Sequence, residues 1–164
     1  MQIVLTKTQI DQKIMRLAHQ ILENASDEQT IYLAGICGNG IRIAAEMARI
    51  LAEHTSQEIR VFEITLDKDN PLDSPVTMNI DAEALKNGFI VLIDDVLNSG
   101  KTMQYGLVKL LEQPVKAIKT VALVDRRHRK YPIKCDFVGI TLSTTLKDRV
   151  EIDFDAQDYQ AYLV

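Results

Sequence analysis

The sequence predicts an α/β domain with a mainly parallel central sheet. Three observations carry the prediction. Short apolar runs alternate with segments of helical periodicity through the middle of the chain. One of these runs, "FIVLID" from Phe89 to Asp94, is apolar almost without interruption, as a strand covered on both faces must be. Segments rich in glycine or charge follow the strands, at the end of a parallel sheet where ligands bind.

Taken in order, a short apolar start leads into a helix over Leu5 to Ala25. Thr6 and Gln9 have capping-box spacing there, and Ile10, Ile14, Leu17, Ala18 and Ile21 share one face. A strand follows from Thr30 to Ala34, ending at Gly35. The loop "GICGNG" leads to a helix from about Ile41 to His54, whose expected buried stripe is Ala44, Ala45, Ala48, Leu51 and Ala52. Glu58 to Leu66 has strand composition. The segment from Asp67 to Gly88, rich in aspartate and carrying Pro71 and Pro75, reads as a long loop, functional or mobile at such a length. After the 89–94 strand come a helix from roughly Thr102 to Glu112, a buried strand from Ala117 to Asp125, a basic loop "RRHRKYP", a short strand in "KCDFVGI" and an edge strand in "RVEIDF".

The chain has 164 residues, 46% hydrophobic and 26% charged, which fits one domain with a sizeable core. A net charge of −4 argues against a generic nucleic-acid coat or a membrane-surface protein. Two cysteines, Cys37 and Cys135, lie far apart without C-x-x-C spacing, so neither a disulfide framework nor a structural zinc site is expected, and a reducing, cytoplasmic compartment fits best. No charged start runs into an apolar core as in a secretion signal, and no apolar run approaches a membrane span.

The segment "VLIDDVLNSGKTM", Val91 to Met103, holds the sharpest chemical signal. Asp94 and Asp95 follow a buried strand, where two ionised carboxylates are costly unless paired, hydrated or ligand-bound. Vicinal ribose hydroxyls with a hydrated Mg²⁺ nearby would satisfy them. Asn98 to Thr102 then enters a helix, exposing N–H groups and a positive dipole end that favour a phosphate. Ser99 and Thr102 add hydroxyls, and Gly100 permits close backbone approach. The plainer alternative is a strand-to-helix turn capped by Ser99, with one aspartate capping the loop and the other in solvent. A Walker loop is excluded, because Asp95 stands where its first glycine belongs. "GICGNG" is not a dinucleotide fingerprint. It can present backbone donors to a second phosphate, or simply allow tight helix packing. The basic run Arg126 to Lys130 is either a solvated loop or a cover for an anionic substrate or RNA. His19 sits beside the apolar stripe of the first helix.

"VLIDDVLNSGKT" resembles the phosphoribosyl-pyrophosphate motif of type I phosphoribosyltransferases. "LTKTQIDQKIMRLAHQILE", "EITLDKDN" and "VALVDRRHRKYPIKCDFVGITLSTT" resemble segments of the PyrR group within that family, pyrimidine-operon regulators that are also uracil phosphoribosyltransferases and bind messenger RNA. The resemblance implies the family fold, a sheet of about five strands flanked by helices with a small hood. It implies one domain over residues 1–164, a mobile loop at 67–80 and hood elements from the termini. The implied reaction moves ribose 5-phosphate from phosphoribosyl pyrophosphate to a nucleobase, with Mg²⁺ bound mainly through the pyrophosphate and no certain protein metal ligand.

Carried over by position, Asp94 and Asp95 hold the ribose and its Mg²⁺, and Asn98, Ser99, Gly100, Lys101 and Thr102 hold the 5-phosphate. Gly35, Ile36, Cys37 and Gly38 form the pyrophosphate loop, and Lys68 rides on the closing loop. Asp125, Arg126 and Arg129 face the base or hood, while Arg16, His19 and Arg127 fall on an RNA surface. A homo-oligomer is implied by family analogy.

Several residues depart from the group's pattern. Cys37 and Asn39 replace basic side chains of the pyrophosphate loop, with Arg42 just beyond as a candidate compensation. Asn98-Ser99 replaces Tyr-Thr, and Arg127 replaces a glycine. Three readings follow: a pyrimidine phosphoribosyltransferase, a nucleotide-responsive RNA-binding regulator with weak or no catalysis, and a protein of the same fold that binds another phosphorylated ligand.

Overall fold

The computed structural model describes Met1–Val164. In chain order the elements are β1 (Gln2–Leu5), α1 (Lys7–Asn24), β2 (Thr30–Ile36), α2 (Asn39–His54), β3 (Glu58–Thr65), β4 (Thr77–Met78), β5 (Phe89–Leu97), α3 (Lys101–Leu110), β6 (Ala117–Asp125), β7 (Phe137–Thr141), β8 (Val150–Ile152) and β9 (Ala161–Leu163), with a 3-10 turn at Ala82–Leu85. The central sheet has the order β4-β3-β2-β5-β6-β7. Strands β3, β2, β5, β6 and β7 run parallel, and the two-residue β4 closes one edge antiparallel. No helix is long and apolar enough to cross a membrane.

Alternation along each central strand builds two cores. Ile31, Leu33, Val91 and Ile93 point to the face covered by α1 and α2, and Tyr32, Ala34, Ile36, Ile90 and Leu92 to the opposite face with Met103 and Leu110 of α3. The expected face of α1 is buried as read, and its capping box is complete: Gln9 N–H donates to Thr6 Oγ1 at 3.3 Å, and Thr6 N–H donates to Gln9 Oε1 at 2.9 Å.

Four expectations are corrected. The buried stripe of α2 is Gly40, Ile43, Ala44, Met47, Ile50 and Leu51; Ala45 and Ala52 face solvent, because the larger apolar side chains rotate the helix toward the core. The 67–88 segment is not structureless, since it contains β4 and the 3-10 turn. β5 runs three residues past Asp94, to Leu97, so the acidic pair lies within the strand. The strand in "RVEIDF" does not extend the central sheet: β8 joins a separate antiparallel sheet of order β1-β9-β8, formed by both chain ends. Its Leu5, Val150, Ile152 and Ala161 pack into the α1–α2 core.

Thr6→Ala removes the α1 cap and is expected to cost about 1 kcal/mol. Thermal denaturation should show this as a fall in Tm of about 2–4 °C.

Candidate functional site

The neighbouring strands β2, β5 and β6 end at one edge of the sheet, and the segments that follow them meet in one crevice. Gly35 and Ile36 belong to β2 itself, so the turn consists of Cys37 and Gly38. Gly38 has φ 91° and begins α2 without a side-chain cap, in a conformation that L side chains rarely adopt. Cys37 is half-buried, with its thiol 3.6 Å from the Leu66 carbonyl oxygen.

On β5, Asp94 is 5% exposed and Asp95 is half-buried. Asp94 Oδ1 accepts the Asp95 N–H at 2.9 Å, Asp95 Oδ1 accepts the Val96 N–H at 2.7 Å, and Asp95 Oδ2 accepts from Asn39 Nδ2 at 2.9 Å. Burial pushes the Asp94 carboxyl well above the usual carboxylate range. The negative charge of Asp95 adds to the rise, and the ammonium of Lys68 opposes it. Lys68 Nζ also stands 3.5 Å from where a Cβ on Gly38 would lie, so the loop lysine sits over the Gly38 turn.

After β5, Asn98, Ser99 and Gly100 turn into α3. Gly100 has φ 85°, and a Cβ there would lie 2.5 Å from Ile133 Cγ2. Ser99 Oγ accepts the Lys101 N–H at 3.2 Å, which answers the plainer capping alternative for one amide; no side chain caps the helix from Gly100. A small cavity lined by Asp94, Asn98, Ser99, Gly100, Lys101 and Thr102 lies at this helix start. Lys101 Nζ donates to the Asp69 carbonyl at 3.3 Å, tying the 67–80 segment to α3.

The loop after β6 divides its basic residues. Asp125, 7% exposed, accepts the Arg127 N–H at 2.8 Å and lies 3.7 Å from Arg129. Arg126 points inward: its guanidinium donates to Asn98 Oδ1 at 2.8 Å, to Thr144 Oγ1 at 3.1 Å and to the carbonyls of Thr145 and Asp148. These groups commit it to protein acceptors, and it ties the turn before α3 to the 144–148 segment. Arg127 is exposed with φ 62°, a backbone state suited to glycine.

Arg16 and His19, expected on an RNA surface, lie away from the crevice. Arg16 donates to the β7 carbonyls of Val138 and Gly139, at 2.9 and 2.6 Å. His19 stacks edge-on with His54, centroids 4.8 Å apart, at the end of α2 remote from Gly38. Arg42 does not compensate the turn, because it pairs with Asp155 at 2.5 Å. The contacts of Asn39 and Arg126 escape sequence reading, since their partners lie 56 and 28 positions away along the chain.

The phosphoribosyl transferase domain family matches residues 3–158. The chain belongs to this family. It is similar to the bifunctional protein PyrR of Streptomyces coelicolor, with 32% identity covering 94% of this chain and 84% of that protein. The protein of the same name in Bacillus cereus is likewise 32% identical, covering 96% and 93%. These likenesses place the chain in the PyrR-like part of the type I phosphoribosyltransferases. Among solved structures, a hypoxanthine phosphoribosyltransferase of Trypanosoma cruzi aligns with TM-score 0.76 at 19% identity, covering 98% of this chain and 95% of that one. One from Staphylococcus aureus aligns at TM-score 0.71 and 17% identity, covering 86% and 77%. The shared fold is the phosphoribosyltransferase fold.

In this phosphoribosyltransferase the raised Asp94 carboxyl has a stability consequence. The folded protein favours neutral Asp94 more than the unfolded chain does, so its ionisation costs stability. That cost is absent at low pH, where both states are protonated, and grows as pH climbs from the ordinary carboxylate value through the raised one. Asp94→Asn is therefore expected to match the wild type near pH 3, roughly below the usual aspartate range, and to exceed it in Tm at neutral pH. Equal Tm values at neutral pH would refute the uncompensated buried charge. At Arg127, the glycine variant should lose no stability, whereas Arg127→Val should lose about 1–2 kcal/mol in chemical denaturation.

Proposed function

We propose that the protein transfers ribose 5-phosphate from phosphoribosyl pyrophosphate to a pyrimidine, with uracil the base to test first. The observation that carries this is the placement of the Asp94–Asp95 pair, with Asp94 lining one small cavity together with the α3 start and Asp95 bonded to Asn39 beside the Gly38 turn.

The amides of Thr102 and Met103, with the Ser99 and Thr102 hydroxyls, receive the 5-phosphate at the positive end of α3. Asp94 and Asp95 accept hydrogen bonds from the ribose hydroxyls, which fixes C1 and draws on their negative charge as C1 becomes cationic. Cys37, Gly38 and Lys68 face the pyrophosphate; as the base nitrogen bonds to C1, the bond from C1 to the pyrophosphate oxygen breaks and the N–H proton of the base passes to the departing pyrophosphate or to solvent. The 67–80 segment closes over the crevice and excludes water. Asp125 and Arg129 stand at the base end, and the β1-β9-β8 sheet acts as the hood.

The hard carboxylate oxygens of Asp94 and Asp95 fit Mg²⁺ carried in on the donor, and no cluster of three or more His, Cys, Asp or Glu side chains offers a separate protein cage. When bound, Mg²⁺ supplies positive charge to the departing pyrophosphate. The two free cysteines suit a reducing, cytoplasmic setting, and the family likeness supports a homo-oligomer.

A second reading, a nucleotide-responsive RNA-binding regulator with weak catalysis, is favoured by one observation. Cys37 and Asn39 carry no charge and Arg42 is paired elsewhere, which leaves Lys68 as the cation over the Gly38 turn.

Incubation with phosphoribosyl pyrophosphate, Mg²⁺ and uracil should yield UMP, and Asp94→Asn and Asp95→Asn should each lower kcat/KM by about 100-fold or more. Unchanged activity in both variants rules out this role for the pair. Tight Mg²⁺-independent binding of UMP without turnover, with salt-sensitive binding of structured RNA, would decide for the regulator.

A further inference from the structure

Asn39 lies on the first turn of α2, one residue past Gly38. Its amide nitrogen carries two N–H groups, and both are used. One is donated to Asp95 Oδ2 and the other to the main-chain carbonyl of Ile152 in β8, each at 2.9 Å. Three positions along the same helix, Arg42 pairs with Asp155, just beyond β8. Beyond the apolar packing of Val150 and Ile152 into the α1–α2 core, these are two polar contacts between α2 and the tail, and of the two only the Asn39 contact also touches the acidic pair.

The neutrality of this contact matters. Asp95 is pinned at both oxygens, by the Val96 N–H and by Asn39, while its remaining lone pairs stay available. A lysine or arginine at position 39 would orient the carboxylate but also neutralise it. The amide orients without neutralising, so the full negative charge remains for hydroxyl donors or a cation in the crevice.

We propose that Asn39 is a positioning residue that joins the Asp95 carboxylate and the β1-β9-β8 sheet into one coupled unit. A ligand that engages Asp95 then alters the order of residues 150–163, and loosening of that sheet releases Asp95. Truncation of Asn39 removes a link that is covalently anchored to α2; a water that bridges the two acceptors in its place is not fixed to the helix.

The test is amide hydrogen exchange on the full chain, read over residues 150–163. Without ligand, Asp95→Ala and Asn39→Ala should each speed exchange there, and the double variant should show no further increase. Arg42→Ala should also speed it, but additively with Asp95→Ala. If Asp95→Ala leaves exchange in 150–163 unchanged, or if its effect adds to that of Asn39→Ala, the coupling is overturned.

A ligand arm rests on the proposed phosphoribosyl chemistry. UMP with Mg²⁺ should protect 150–163 in the wild type and not in Asn39→Ala, and KM for phosphoribosyl pyrophosphate should rise about tenfold in Asn39→Ala while staying unchanged in Arg42→Ala. Protection that survives Asn39→Ala overturns the coupling. Failure of the wild type to bind either ligand overturns the phosphoribosyl chemistry, and the ligand-free arm still decides the coupling.

Discussion

The crevice is organised around a carboxylate held out of water next to another carboxylate. Asp94 is almost fully buried in β5, and burial together with Asp95 makes its ionised form costly. A core strand would ordinarily carry an apolar residue there, as Val91, Leu92 and Ile93 do immediately before it. The surroundings orient the pair without neutralising it: the Asp95 and Val96 amides and the Asn39 side chain donate hydrogen bonds, and Lys68 acts as the nearby cation. What is left over is unsatisfied negative charge in a fixed place, the property a ribose diol or a hydrated divalent cation can use.

The helices around it divide the work by polarity. α1, whose first turns contact Tyr159 of the tail, has a complete capping box. α2 and α3, which start at the crevice, begin at Gly38 and Gly100 with positive φ and no side-chain cap. Their leading amides and positive dipole ends are thereby left for anions. In the proposed reaction, phosphates would meet these helix starts and ribose hydroxyls the carboxylates.

Much of this was legible in sequence for stated reasons. The α1 face was readable because isoleucine and leucine at helical spacing admit one amphipathic solution. The acidic pair and the glycine turn into α3 were readable as neighbours of one crevice because they are contiguous in the chain. The face of α2 was misjudged because alanines occupy both sides and carry little hydrophobic weight against Ile43, Met47 and Ile50. The basic run from Arg126 to Lys130 read as one unit, yet the strand direction of β6 turns Arg126 inward and leaves Arg127 outside. The role of the tail was hidden because β8 spans three residues and pairs with β9, which itself pairs with β1 at the other chain end.

By itself the sequence determined the α/β class and the order of the main strands and helices, and it singled out Asp94 to Thr102 as the candidate site, since each follows from local periodicity or contiguous chemistry. Tertiary structure alone decided that Arg42 is drawn away to Asp155, that Arg126 braces Asn98, and that Asn39 ties Asp95 to Ile152. Those contacts join residues dozens to more than a hundred positions apart. They exist only because parallel strands bring their ends to one edge and the two chain termini fold back onto α2.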